Sequence, residues 1–194
     1  MTYQEKYQTW LDYAQLPDYL RQDLVSMDEK TKEDAFYTNL EFGTAGMRGY
    51  IGAGTNRINV YVVRQATEGL AKLVASKGDE AKKRGVAIAY DSRHFSPEFA
   101  FESAQVLAAH GIQSYVFESL RPTPELSFAV RHYNAIAGIM VTASHNPKEF
   151  NGYKVYGEDG GQMPPADASA LTDYIRAIDN PFTIELADLE ESKA

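Results

Sequence analysis

The sequence contains no cysteine, and this absence removes several functional classes at once. A disulfide scaffold, a zinc site with cysteine ligands, a thiol nucleophile and a redox-active thiol pair are all excluded. No apolar run approaches the ~20 residues that a membrane-spanning helix needs. The first residues also lack the apolar segment of a secretory signal, so the expected location is the cytoplasm.

Basic residues are scarce as well, since 19 Lys and Arg stand against 27 Asp and Glu, giving a formal net charge of −8. This sign is wrong for a surface that neutralises nucleic-acid phosphates or anionic lipids, so neither a nucleic acid nor a membrane is an expected partner. The 194 residues are 44% hydrophobic and 24% charged, which is typical of a folded domain. Such a length accommodates one domain with some residues to spare.

Helix and strand signals alternate through the middle of the chain. Apolar runs at 86–90, 112–117 and 135–141 are typical of strands buried in a parallel sheet. Between them, Ser96-Pro97-Glu98 and Thr123-Pro124-Glu125 each have the order of an N-cap, a first-turn proline and an acid that begins a helix. The pattern predicts a three-layer α/β/α domain at 41–180 with a mostly parallel, mixed sheet.

Further signals place helix ends and flanking segments. Asp28 and Asn59 are expected to cap helices, and Gly78 and Gly111 to end them. A hairpin is expected from 153–156 across to Gln162 and Met163. Residues 1–40 are expected to form a helical extension, and residues 181–194 a linker or trimmed carboxyl-terminal end.

Five of the 14 glycines lie between residues 43 and 54, in a segment that begins Gly43-Thr44-Ala45-Gly46-Met47-Arg48-Gly49. Glycines at this spacing permit positive φ, so that backbone N–H groups can converge on an anion while Arg48 offers a guanidinium fork. An ordinary glycine-rich turn explains the same segment. A Walker loop is excluded because no Gly-Lys-Ser/Thr follows.

The segment Thr142-Ala143-Ser144-His145-Asn146-Pro147 follows the third predicted strand, at the sheet edge where α/β domains bind ligands. A hydrolase with Ser144 as nucleophile and His145 as base is disfavoured. Adjacent side chains of an extended segment point to opposite faces, and no Gly-x-Ser-x-Gly elbow surrounds the serine.

Together with Asn151-Gly152-Tyr153-Lys154, these two segments resemble the α-D-phosphohexomutase family. The resemblance covers about residues 36 to 178 and is strongest to the long bacterial phosphoglucomutases and their phosphopentomutase-like relatives. Three motifs in the same order are far more specific than any one of them.

The resemblance implies roles for the residues of these motifs. Ser144 would carry a phosphoryl group, Lys154 would act as general base or acid, and His145 would contact and orient phosphate close to the reaction. The implied phosphate-binding residues are Arg48, Thr44, Gly46 and Asn146. A structural histidine and a solvated lysine remain the alternatives for His145 and Lys154. The triplet Asp91-Ser92-Arg93 would support the cleft without a catalytic role.

The resemblance also implies Mg²⁺ as cofactor, with the phosphate on Ser144 as the metal ligand from this chain, and glucose 1,6-bisphosphate as activator. The family's Asp-Gly-Asp-x-Asp-Arg metal loop, its Gly-Glu-x-Ser-Gly-His sugar loop and its distal phosphate loop do not occur in the sequence. The chain is therefore expected to be the family's first domain, inactive alone, with sugar phosphates and the remaining domains as partners. Phosphomannomutase, phosphopentomutase and a non-catalytic phosphosugar-binding domain remain alternatives.

Overall fold

The computed structural model describes residues 1–43 and 46–192, so Thr44 of the expected phosphate-binding set lies outside the described residues. The α-helices are α1 (Tyr3–Asp12), α2 (Asp18–Ser26), α3 (Glu29–Phe36), α4 (Val60–Ser76), α5 (Asp79–Arg84), α6 (Ser96–Ala109), α7 (Thr123–His132), α8 (Pro165–Arg176) and α9 (Leu189–Ser192). The strands are β1 (Met47–Tyr50), β2 (Val86–Tyr90), β3 (Ser114–Val116), β4 (Ala137–Val141) and β5 (Phe150–Tyr156).

The strands form one mixed sheet in the order β1-β5-β4-β2-β3. Strands β3, β2 and β4 are parallel, whereas β5 runs antiparallel to both β4 and β1. Alternate residues of β2 face opposite layers: Ile88 packs in the cluster that includes α4 and α6, and Ala87 in the cluster that includes α7. The expected three-layer α/β/α architecture with a mostly parallel, mixed sheet is confirmed.

Helix boundaries read from single residues agree with the structure at four places. The side chains of Asp28 and Asn59 accept hydrogen bonds from the backbone N–H groups of Thr31 and Val62, and so cap α3 and α4. Gly78 and Gly111 follow α4 and α6 with φ of +96° and +66°, which only glycine adopts at little cost.

Two predicted N-caps are wrong by one position. Ser96 and Thr123 are the first helical residues, and Phe95 and Pro122 occupy the cap positions without a side-chain hydrogen bond. The hydroxyl of Ser96 donates instead to Oδ1 of Asp91 at 3.1 Å, because the chain between β2 and α6 folds back on itself.

The predicted hairpin is present in a short form. The chain turns after β5, an antiparallel bridge pairs Gln162 with Tyr156, and the N–H of Met163 donates to the carbonyl oxygen of Val155 at 3.2 Å. The returning segment does not form a further strand of the sheet. Strand β1 and helix α5 are additional to the predicted elements. Arg48 consequently lies on a strand rather than in a glycine-rich loop.

The two flanking segments pack on the same core. Trp10 of α1 is 3% exposed, and its ring meets those of Phe36, Tyr61 and Phe182 edge-on with centroids 5.3 to 5.8 Å apart. Phe182 thereby joins the carboxyl-terminal segment to the amino-terminal helices. The boundaries at residues 40 and 180 stay predictions.

Across residues 1–43 and 46–192, none of the helices combines the length and the apolar character required to span a bilayer.

Candidate functional site

The loop between β4 and β5 exposes the side chain of Ser144 at the edge of the sheet. Ala143 just before it is buried, whereas Ser144 is exposed and has a φ of +58°. A residue other than glycine is uncommon in this left-handed region, so surrounding contacts must hold the backbone there. The serine hydroxyl is therefore presented to solvent by a constrained loop.

A chain of hydrogen bonds joins this loop to the end of β2. The backbone N–H of Ser144 donates to Oγ1 of Thr142 at 2.9 Å, and the Thr142 hydroxyl donates to Oδ2 of Asp91 at 2.6 Å. The other carboxylate oxygen of Asp91 accepts from the backbone N–H of Arg93 at 3.1 Å. The carboxyl ends of β2 and β4 are thus linked through one carboxylate.

The guanidinium group of Arg93 lies against the main chain of the serine loop. Nη2 donates to the carbonyl oxygens of Ser144 at 2.9 Å and Asn146 at 2.7 Å. Nη1 donates to those of Pro147 at 2.8 Å and Phe150 at 3.0 Å. The sequence predicted only that Arg93 supports the cleft. Its hydrogen-bond partners are 51 to 57 positions away along the chain, so these contacts could not be inferred from local patterns.

His145 lies closer to the serine hydroxyl than the sequence suggested. Its Nδ1 is 3.4 Å from Oγ of Ser144. The expectation that the two side chains point to opposite faces is wrong, because Ser144 is left-handed rather than extended. A ring nitrogen at this distance can exchange a proton with the hydroxyl after a small closure.

Arg48 approaches the same loop from β1. Its Nη1 donates to Oδ1 of Asn146 at 2.8 Å. Arg48 pairs with Gly152 in the β1–β5 register, and Lys154 lies two residues further along β5, so Arg48 and Lys154 share a face of the sheet. The two cations that the resemblance assigns to the site are therefore neighbours.

Burial lowers the pKa of the Lys154 ammonium group, and the positive charge of Arg48 lowers it further, while the Asp91 carboxylate acts in the opposite direction. Lys154 is half-buried opposite Met140 of β4. Among the described residues no hydrogen bond or ion pair engages its amino group. A lysine with a lowered pKa gives and takes protons more readily near neutral pH.

Gly46 packs directly against β5 beside Lys154. With a φ of +99°, it brings its Cα so close that an added Cβ would collide with the carbonyl oxygen of Tyr153 and lie 2.8 Å from Cα of Lys154. Glycine is needed here for the close approach of two backbones.

An open cleft of about 350 Å³ lies beside Ser144. It is lined by Asp91, Ser92, Arg93, His94, Ser144, Asn146 and Lys148. The exposed hydroxyl and the nearby cationic side chains suit a phosphorylated ligand. The cleft is open to solvent on one side.

Magnesium was expected from the resemblance, with the phosphate on Ser144 as its ligand. Among the side chains that the structure describes, those of residues 1–43 and 46–190, no three His, Asp or Glu groups converge on a common point as a cation site would require. Mg²⁺ prefers octahedral oxygen coordination, which these residues do not form. The side chains present therefore do not fit the ion by themselves.

Comparison with known sequences identifies relatives over nearly the whole chain. The family described as phosphoglucomutase/phosphomannomutase, alpha/beta/alpha domain I, matches residues 39–182. A phosphoglucomutase of Staphylococcus epidermidis is 41% identical over 181 residues, which cover 93% of this chain and 32% of that protein. A phosphoglucomutase of Staphylococcus aureus is 46% identical over 156 residues, covering 80% of this chain and 28% of that protein. The chain thus spans about a third of these relatives.

Solved structures agree with the fold. A phosphomannomutase-type protein of Thermus thermophilus superposes with a TM-score of 0.64 at 31% identity, covering 71% of this chain and 30% of that one. The open form of Paramecium parafusin superposes with a TM-score of 0.59 at 23% identity, covering 73% of this chain and 27% of that one, and supports the fold alone. Because the family match at residues 39–182 spans well over half of the sequence, the chain belongs to the phosphoglucomutase/phosphomannomutase family and contains its α/β/α domain I.

Proposed function

We propose that this chain is the first domain of a phosphoglucomutase that interconverts glucose 1-phosphate and glucose 6-phosphate. The observation that carries the proposal is the exposed hydroxyl of Ser144 on a left-handed turn, in a loop that Arg48 contacts through Asn146. A serine phosphomonoester is inert in water, yet it donates its phosphoryl group once surrounding cations spread the charge of the transition state.

In the proposed first step, a hydroxyl of the sugar monophosphate attacks the phosphorus of phosphorylated Ser144. The new bond forms to the sugar oxygen, and the bond to the serine oxygen breaks. Lys154, whose lowered pKa favours its neutral amine, takes the proton of the sugar hydroxyl. His145, with Nδ1 3.4 Å from Oγ, returns a proton to the serine oxygen. The glucose 1,6-bisphosphate formed then reverses its orientation and passes its other phosphoryl group back to Ser144.

Arg48 is proposed to orient the transferring phosphate. Its guanidinium group has five N–H donors, of which one donates to Asn146, leaving others for phosphate oxygens. Asn146 would therefore aim Arg48 at the serine rather than contact the sugar itself. Gly46 allows the strand entering this region to lie against β5.

Glucose is the proposed sugar because the relatives at 41% and 46% identity are phosphoglucomutases, whereas the phosphomannomutase-type structure is 31% identical. The chain spans about a third of those relatives, and its cleft is open on one side. We therefore propose that the remaining domains of such an enzyme, with their magnesium and sugar loops, are needed for turnover.

The test uses the chain alone and a chimera in which it replaces the matched segment of the S. epidermidis phosphoglucomutase. A coupled assay with glucose 1-phosphate, Mg²⁺ and glucose 1,6-bisphosphate should show turnover by the chimera and none by the chain alone. Turnover by the chain alone would contradict the need for other domains. Replacing glucose 1-phosphate with mannose 1-phosphate tests the sugar.

The matched control is the same chimera with Ser144→Ala, which should lose activity and should not become phosphorylated in mass spectrometry. Full activity of this variant would rule out a phosphoserine. A non-catalytic phosphosugar-binding domain would give a different result: tight binding of glucose 1-phosphate by the chain alone, without phosphorylation.

A further inference from the structure

We propose that Arg93 is a positioning residue for phosphoryl transfer, which holds the main chain of the serine loop so that Oγ of Ser144 faces the cleft. The kinetic part of this inference rests on the proposed function; the structural part does not. Arg93 acts through Ser144 rather than through the sugar phosphate, which distinguishes it from Arg48.

The hydrogen-bond inventory of the guanidinium group supports this division. Each Nη carries two hydrogens, and both hydrogens of each are engaged by carbonyl oxygens of the loop, at 2.7 to 3.0 Å. The remaining donor, Nε, lies 3.6 Å from Oδ2 of Asp91. Arg93 thus has no Nη donor left for a phosphate oxygen, although it lines the cleft.

The four carbonyls bracket the loop on both sides of its proline, from Ser144 to Phe150. A planar guanidinium group can satisfy all four at once, whereas the three hydrogens of a lysine ammonium radiate from a single point. The Arg93 side chain is only 13% exposed, so water replaces these bonds poorly when they are lost.

Arg93 is itself fixed from three directions. Its backbone N–H donates to Asp91 at the end of β2, and its carbonyl accepts from the N–H of Ser96, the first residue of α6. The next carbonyl, of His94, accepts from Nδ2 of the fully buried Asn151 on β5 at 3.0 Å. These four hydrogen bonds from Arg93 to the serine loop, the Arg93 clamp, are therefore anchored at the end of β2, at the start of α6 and, through His94, on β5.

The left-handed backbone at Ser144 depends on the hydrogen bonds from Arg93. Holding a residue other than glycine at such a φ costs about 1–3 kcal/mol, and the conformation persists only where surrounding contacts enforce it. Without the four bonds, the loop can relax to extended backbone and turn Oγ away. Phosphoryl transfer needs attacking and leaving oxygens in line, and a displacement of about 1 Å costs ~100-fold in rate.

The first test uses the chain itself and does not depend on its function. In Arg93→Lys, the amides of Asn146 and Phe150, which donate to Ala143 and Pro147 within the loop, should exchange with deuterium at least ~10-fold faster than in the wild type. Arg84→Lys is the matched control, since Arg84 also donates to a backbone carbonyl, that of Asn134, at the opposite end of the parallel strands. Unchanged loop exchange in Arg93→Lys would overturn the clamp.

The second test measures kinetics in the chimera. Arg93→Lys should lower kcat roughly 10- to 100-fold while KM for glucose 1-phosphate stays within about 2-fold, because the loss is in alignment and not in binding. Millimolar guanidinium should restore part of the activity of Arg93→Ala. A raised KM with unchanged kcat would overturn the inference by making Arg93 a phosphate ligand. If the Ser144→Ala chimera were active, the proposed function would fail while the exchange result would stand.

Discussion

The phenol ring of Tyr19 stacks on the ring of Phe95, with centroids 4.9 Å apart and planes inclined by 23°. Tyr19 belongs to α2, and Phe95 has a φ of +63°, unusual for an aromatic residue, directly before α6. The amino-terminal helices therefore support a strained position two residues beyond Arg93.

Tyr19→Ala should lower the free energy of unfolding by about 1–2 kcal/mol, because an aromatic contact and partly buried area are lost. Hydrogen exchange should also quicken at residues 93–96, which the stacked rings hold in place. Urea denaturation and exchange mass spectrometry measure the two effects. Tyr37→Ala is the control: Tyr37 is 63% exposed and should cost less than ~0.5 kcal/mol. Equal losses in both variants would contradict the supporting role of Tyr19.

Thr142→Val should destabilise the protein by about 1–3 kcal/mol, although the two side chains have nearly the same shape. The valine removes the hydroxyl that donates to Asp91 and accepts from Ser144 N–H, at a position only 5% exposed, so both hydrogen bonds are lost. Thr142→Ser keeps the hydroxyl and should retain most of the stability. Chemical denaturation compares the variants, and a Thr142→Val variant as stable as the wild type would contradict a role for the hydroxyl.

Lys154→Met should change how stability depends on pH. The folded-state pKa of Lys154 lies below the ordinary 10.5, so between these two pKa values the unfolded chain binds more protons than the folded chain. The free energy of unfolding of the wild type therefore rises as pH rises toward 10.5. The methionine variant lacks this increase. The change in melting temperature from pH 7 to pH 10 should therefore be more positive in the wild type and in the exposed control Lys148→Met than in Lys154→Met. The opposite sign would show that the folded state favours the charged lysine.

Gly69→Ala should destabilise the packing of α4 on α8, even though alanine is the better helix former by about 1 kcal/mol. An added Cβ would lie 2.5 Å from Cγ1 and 3.1 Å from the backbone nitrogen of Ile175. We expect a net loss of about 1–3 kcal/mol in thermal or urea unfolding. Because the side-chain part of the clash involves Ile175, the double variant with Ile175→Ala should be less destabilised than the two single losses combined. Simple additivity would argue against this contact.

Local sequence signals predicted the parts of the fold that depend on local interactions. Asn59 begins α4 and Gly78 ends it, because a cap and a left-handed glycine act within a few residues. The buried strands β2 and β4 were likewise apparent, since sheets covered on both faces need continuous apolar runs.

Contacts between residues far apart in the sequence could not be predicted from local signals. The clamp of Arg93 joins residues more than fifty positions apart, and the pairing of β1 with β5 joins residues a hundred or more positions apart, such as Tyr50 and Phe150. The left-handed backbone of Ser144 is enforced by those same contacts, so the proximity of His145 could not be derived from alternation along the strand. The motif residues were apparent from the sequence, but their mutual geometry was not.

The serine loop is closed at both ends by paired strands, since Val141 pairs with Tyr153 and Phe150 pairs with Tyr50. Its exposed Lys148 would make it an apparent cleavage site for trypsin, yet a protease needs several residues to leave their places together. Here that would require releasing Arg93 and separating strands within the sheet. The loop should therefore resist limited digestion until the whole domain unfolds. Although the loop is open to substrate, it is not expected to unfold locally.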